Sequence, residues 1–141
     1  MTRLLGWEDR LVDAVEAARR RPYALGRHDC ALWVIDAVRS LTGEDFGVGI
    51  RGKYKSKPAA LRLMRQLGGR EGPGALRAAV SAVLQREPLP PLRAMRGDPL
   101  LWIDPTGEEH LGLCLGAQGA VLGDTGLIFL PLDDFSCAWS V

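Results

Sequence analysis

Long apolar runs are missing from this 141-residue chain. None approaches the roughly 20 residues that span a bilayer, which excludes membrane insertion by a helix. The opening residues turn acidic at Glu8 and Asp9, too early for a secretory signal. Cysteine is scarce: there are three, with no close pair, so no disulfide framework is available and a reducing cytoplasm is the expected compartment. Charge of one sign is lacking as well. Lys plus Arg is 18 against 17 for Asp plus Glu, a net of +1, which argues against a nucleic-acid partner chosen by bulk electrostatics. Histidine occurs only twice, so any imidazole chemistry rests on His28 or His110. The pairs Glu108-Glu109 and Asp133-Asp134 have no companion at metal-ligand spacing, and no metal or other cofactor is expected. Gly47 to Gly52 spells Gly-x-Gly-x-x-Gly by letter, but no strand precedes it and no helix follows, so it is taken as a loop.

What is present suffices for a core. Apolar residues make up 47% and charged residues 25%, the balance of a folded domain rather than a disordered one. The pattern changes character near residue 87. Before it, apolar residues recur at helical spacing. Trp7, Leu11, Val15 and Ala18 mark a first helix, with acids early and Arg19-Arg20-Arg21 late, closed by Pro22. A second, apolar nearly all round, runs from 30 to 41 behind Asp29, a preferred N-cap. A third starts with Ser56 as cap and Pro58 in its first turn, ending at Gly68-Gly69, and a fourth covers 75–84. After the Pro88-x-Pro90-Pro91 connector come short strands at 99–103, 110–115, 120–122, 127–130 and 136–141. Helices followed by meandering strands imply one α+β domain over 1–141, a helical half to about 87 and an antiparallel sheet from about 96. Arg96-Gly97-Asp98 falls at the turn into the first strand, and Lys53, Lys55 and Lys57 around Tyr54 form a solvated basic loop.

The position of Cys30 carries the chemistry. In the first turn of a helix its sulfur meets unpaired N–H groups and the positive dipole end, which favour thiolate and a lowered pKa. The alternative is a small buried hydrophobe, the reading adopted for Cys114 and Cys137. A nucleophilic thiol needs a base, and His110, opening a strand, can aim its ring at a helix N-terminus packed on that sheet. His28, on the loop entering the helix, is a candidate substrate contact or simply faces solvent.

Three segments carry a family resemblance. Pro22-Tyr23-Ala24-Leu25-Gly26 with Asp29-Cys30-Ala31-Leu32-Trp33-Val34 resembles the nucleophile segment of NlpC-type cell-wall cysteine peptidases, a papain-like group. Arg96-Gly97-Asp98-Pro99-Leu100-Leu101 resembles their turn into the sheet, and His110-Leu111-Gly112-Leu113-Cys114-Leu115-Gly116 their histidine strand. A further likeness is to a short branch in tail modules of phages and gene transfer agents. Its Thr-Gly, Gly-Lys-Tyr and Leu-Gly-Gly have counterparts in Thr42-Gly43, Gly52-Lys53-Tyr54 and Leu67-Gly68-Gly69. A late Pro-Leu and Trp match Pro131-Leu132 and Trp139.

The resemblance implies a papain-like fold, Cys30 as nucleophile, His110 as base, and backbone amides at the start of the Cys30 helix as part of an oxyanion hole. It places Tyr23 beside the nucleophile and Asp29, with His28, towards the substrate. The substrate class it implies is the stem peptides of peptidoglycan, with tail-tip or hub proteins as partners and a virion-associated protein made in the host cytoplasm. A third polar residue, holding the imidazole, is expected on the next strand. Alignment puts Leu122 there and a one-residue slip Gly123 or Asp124, so Asp124 is the candidate, a plain turn residue the alternative. Ala31-Leu32 in place of Ser-Gly, Leu25 in place of Trp, and a short Gly26–Asp29 loop depart from the pattern. They leave open a faded site whose fold serves as a tail-tip component.

Overall fold

The computed structural model describes residues 2–141. Four helices come first: α1 (Trp7–Ala18), α2 (Cys30–Thr42), α3 (Lys57–Gly68) and α4 (Ala75–Leu84). Five strands follow, β1 (Pro99–Ile103), β2 (Glu109–Cys114), β3 (Gln118–Gly123), β4 (Gly126–Pro131) and β5 (Cys137–Ala138), with short 3-10 turns at Pro91–Arg93 and Leu132–Asp134. The strands form one antiparallel sheet in the order β4-β3-β2-β1-β5. This is the α+β, papain-like arrangement, N-terminal helices packed on a C-terminal antiparallel sheet.

α2 is the central element and carries more buried side chains than any other helix. Trp33, Val34, Ala37, Val38 and Leu41 are buried in one cluster with Leu101 of β1, Leu111 and Leu113 of β2, and Trp139. α1 closes the other side of α2 through Leu11 and Ala18, and the Trp33 indole N–H donates to the Ala14 carbonyl at 3.2 Å. A smaller cluster (Leu100, Cys114, Val121, Phe135) covers the opposite sheet face. α3 and α4 form a hairpin whose close approach depends on Gly68, since a Cβ there would meet Ala79 backbone at 2.5 Å. α3 has no fully buried residue; Ala59, Ala60, Leu63 and Leu67 pack partly buried against a small cluster of Leu32, Ile50 and Tyr54.

Several boundaries moved. α1 ends at Ala18, so Arg19-Arg20-Arg21 lie just beyond it rather than in its last turn. The last strand shrinks to two residues; the next residue, Trp139, still donates its backbone N–H to the Pro99 carbonyl at 3.0 Å, and its buried indole N–H donates to Ser81 Oγ. Cys114 and Cys137 are buried.

The turn into β1 is tied down by Asp98, which is 2% exposed. Its Oδ1 accepts from Arg3 Nη2 at 2.9 Å and from the Val141 N–H at 3.1 Å, and its Oδ2 from the Met95 N–H at 2.8 Å. The same guanidinium donates to the Val141 and Arg96 carbonyls. Replacing Asp98 strands a buried cation and two amides. D98A should therefore lose about 3–5 kcal/mol in urea unfolding, and a loss under about 1 kcal/mol would show that water replaces the carboxylate.

Candidate active site

Asp29 sets where α2 begins. Its backbone is extended (φ −107°), and its Oδ1 accepts from the Leu32 N–H at 2.9 Å, the N-cap bond expected from sequence. Oδ2 accepts from the Gly26 N–H at 2.9 Å and from the Tyr54 hydroxyl at 2.5 Å. Gly26 can offer that amide because it turns at φ +79°, where a side chain would be strained and a Cβ would meet the Tyr54 carbonyl at 2.7 Å. Asp29 is 2% exposed and both its oxygens are committed inside the protein. It borders the cleft, as its expected substrate-side place requires, and its hydrogen bonds fix the start of the helix that carries Cys30. Tyr54, which the sequence placed in a solvated basic loop, is buried and part of this support.

Cys30 is the first residue of α2 and is half-buried. Burial pushes its thiol up to about 11, against the Leu111 N–H that donates to the sulfur and the helix-start amides, which pull the other way. The nearby Asp29 charge raises it further. Here desolvation outweighs the helix end, which speaks against the expected resting thiolate.

His110 lies on β2, opposite Trp102 of β1, and the two rings stack with centroids 5.1 Å apart. Its Nε2 pairs with Asp104 Oδ2 at 2.8 Å. Asp104 opens the β1–β2 loop, and its other oxygen accepts from the Thr106 hydroxyl and from the Thr106 and Glu108 amides. These bonds, the Thr106 hydroxyl first and then His110, hold the Asp104 carboxyl well below the usual carboxylate range. The carboxylate bonded to the imidazole is thus that of Asp104, from the preceding loop, and not that of Asp124. Asp124 sits in the β3–β4 turn, where its carbonyl accepts the Tyr23 N–H at 3.2 Å. Among the described residues no hydrogen bond joins Cys30 to His110. The sulfur is instead bonded to the amide of Leu111, the next residue along β2.

Cys30, His110, Asp104, Tyr23 and Asp124 all line one cleft of about 1010 Å³ between the α3–α4 hairpin, α2 and the sheet. Tyr23 is 39% exposed there, its phenol pushed up to about 12 by partial burial and then by surrounding acidic groups. His28 does not border the cleft. It is 5% exposed, its backbone bridges to Ala24, and its Nε2 is buried without a partner, so neither solvent exposure nor substrate contact fits it. Burial, and then Arg21, lower its pKa.

The view that Glu108 lacks a companion also needs correction. Asp104, Glu108 and His110 bring ligand atoms within 4.8 Å of one another, because the hairpin folds residues 104 and 110 to the same end. Lys57 pairs with Glu108 and the imidazole with Asp104, so these charges are already matched within the protein. Glu109 turns to α4, accepting from the Gly74 and Leu76 amides at 3.1 and 3.3 Å.

Over residues 2–141 the chain matches the family described as Domain of unknown function (DUF6950). It belongs to that family. No curated protein matches the chain. Among solved structures, the DUF6950 chain is similar to the NlpC/p60 domain of the peptidoglycan hydrolase SagA, with a TM-score of 0.57 and 18% sequence identity. The alignment covers 94% of this chain and 97% of that one. At that identity the likeness bears on the fold, which is NlpC-like. It reaches across both the helices and the sheet.

Two measurements follow from these bonds. Y54F removes a buried donor to a carboxylate and should cost about 1.5–3 kcal/mol in urea unfolding. No loss would mean that Asp29 is satisfied without it. For Cys30, only thiolate reacts, so iodoacetamide alkylation should climb about tenfold per pH unit from about pH 7 to about pH 10. Peptide mapping separates it from Cys114 and Cys137. A plateau below about pH 8 would contradict a thiol raised by burial. The unfolded thiol ionises first, so this group also lowers stability as pH rises from its ordinary value of 9.0 towards about 11.

Proposed function

We propose that this protein is a cysteine hydrolase of NlpC type, cleaving an acyl bond in the stem peptides of peptidoglycan. The observation that carries the reading is the cleft shared by Cys30, at the start of α2, and His110, held through Nε2 by Asp104. With Nε2 engaged, Nδ1 is the ring nitrogen left to take the thiol proton, and Asp104 favours the imidazolium that results. Thiolate then forms as the proton moves to His110 on substrate binding, rather than standing ready at rest. The amides around the first turn of α2 are placed to receive the carbonyl oxygen as charge develops on it. His110 returns the proton to the leaving amine, and water releases the acyl group from sulfur. The substrate class rests on the NlpC-like fold and on the sequence resemblance. The setting, a phage-type tail tip with hub proteins as partners, rests on the resemblance alone.

A second reading has specific support. The raised thiol, its bond to Leu111 rather than His110, and Ala31-Leu32 after the nucleophile favour a fold kept as a tail-tip assembly component. The two readings separate in one experiment on purified protein and stem peptides. The hydrolase reading expects C30A to abolish release of amine, H110A to reduce kcat/KM by about 10²–10⁴-fold, and D104N to reduce it less while altering the pH profile. Wild-type protein without turnover, alongside a stable complex with tail-hub proteins that C30A also forms, would establish the assembly role.

A further inference from the structure

The cleft extends well beyond the reacting groups. α2 and α4 both start at the catalytic end, α2 with Cys30 itself and α4 with its first amides on Glu109, the residue before His110. From there α2 turns Ala31 and Ile35 to the cavity above the buried Val34 and Val38, and α4 turns Leu76, Val80 and Leu84 to it. Positions i, i+4 and i+8 stack along one helix face, so the α4 stripe runs about 12 Å away from the catalytic end. α3 supplies the third wall through Leu63 and Leu67. The ionisable residues bordering the cleft (Asp29, Lys57, Asp104, Glu108, Glu109, His110 and Asp124) come from the first positions of α2 and α3 and from the loops and strand ends of the sheet. None comes from the later turns of α2 or α4. The cavity is therefore amphiphilic, with a charged mouth at the nucleophile and an aliphatic trough behind it.

A stem peptide carries carboxylates and amines that find partners at the charged mouth but none in the trough, so that substrate leaves the trough unused. We infer that the trough behind Cys30 is an acyl-chain subsite, taking a linear aliphatic acyl group whose carbonyl sits at the sulfur. This inference rests on the reading of Cys30 as nucleophile and adds an acyl ester to what that nucleophile attacks. In the step it implies, the sulfur attacks the carbonyl of an acyl ester while the thiol proton passes to His110. The carbon–oxygen bond breaks, the alcohol leaves with that proton, and a thioester remains on Cys30. Water then adds its hydroxyl to the acyl carbon and returns its proton to the sulfur, freeing the fatty acid.

Binding and turnover are tested separately. By titration calorimetry, decanoate should bind wild-type protein at least about a hundredfold more tightly than butyrate, because each buried methylene multiplies affinity roughly fourfold. C30A should retain that preference. A60F and L67W, which fill the trough from α3, should lose it while melting cooperatively, and either variant suffices if the other does not fold. In turnover, p-nitrophenyl decanoate should exceed p-nitrophenyl acetate in kcat/KM at least tenfold. Chain-length-selective binding without Cys30-dependent turnover upholds the subsite and sinks the hydrolase reading. Cys30-dependent turnover of stem peptide or acetate, with decanoate binding no better than butyrate, does the reverse and overturns the subsite. Binding of acetyl-trileucine amide in preference to decanoate also overturns it, by making the occupant an apolar peptide.

Discussion

The carboxylate of Asp29 is the constraint from which the rest of the site follows. It takes one hydrogen bond from the helix it caps, one from the Gly26 turn before it, and one from Tyr54 on a distant loop. Those bonds fix the first turn of α2, and with it the direction in which Cys30 leaves the backbone. The helix body is held independently by its apolar surface against the sheet, so register and tilt come from packing while the starting point comes from one ion. A charge with so little solvent access is tolerable only because every direction it faces supplies a donor. The same burial that makes the cap rigid also desolvates the neighbouring sulfur.

That loss of water changes how the site must work. Helix-start amides favour an anion, but their effect is set against the loss of water around sulfur, and here the loss is larger. In the proposed mechanism a thiol kept neutral at rest ionises only as its proton moves to the imidazole. Asp104 gathers the Thr106 hydroxyl, two loop amides and the ring nitrogen around one short loop, leaving a carboxylate strongly committed to its charge.

Local chemistry was the readable part of the sequence. Asp29 before an apolar helical run, Ser56 with Pro58, and Gly68-Gly69 each specify a helix end by a mechanism confined to a few residues, and all three ends lie where those residues put them. The Cys30 helix start and the His110 strand were legible for the same reason. The supporting residues were not, because their roles come from pairings across the chain. Tyr54 sits among three lysines and looks solvated until the loop folds onto Gly26. The Gly-Lys-Tyr triplet noted as a resemblance was the available signal for it. Asp104 becomes His110's partner only once β1 and β2 pair with Trp102 opposite His110, a register that closes the loop between them. Alignment along the chain put Leu122 in that place and reached Asp124 only through a slip or loop, because it cannot see that closure. The thiol's ionisation was not legible, because a helix end is visible in sequence and the desolvation of a sulfur is not.

The β1–β2 loop links the site to the walls of its cleft. Within a few residues it presents Asp104 to the imidazole, Glu108 to Lys57 at the head of α3, and Glu109 to the opening amides of α4. Lengthening or stiffening that loop would therefore act on two things at once, the alignment of the base and the spacing of the helical hairpin above it. Relatives that differ there would be expected to differ in the width of what they admit and in the readiness of their chemistry together, since a single ribbon of backbone sets both.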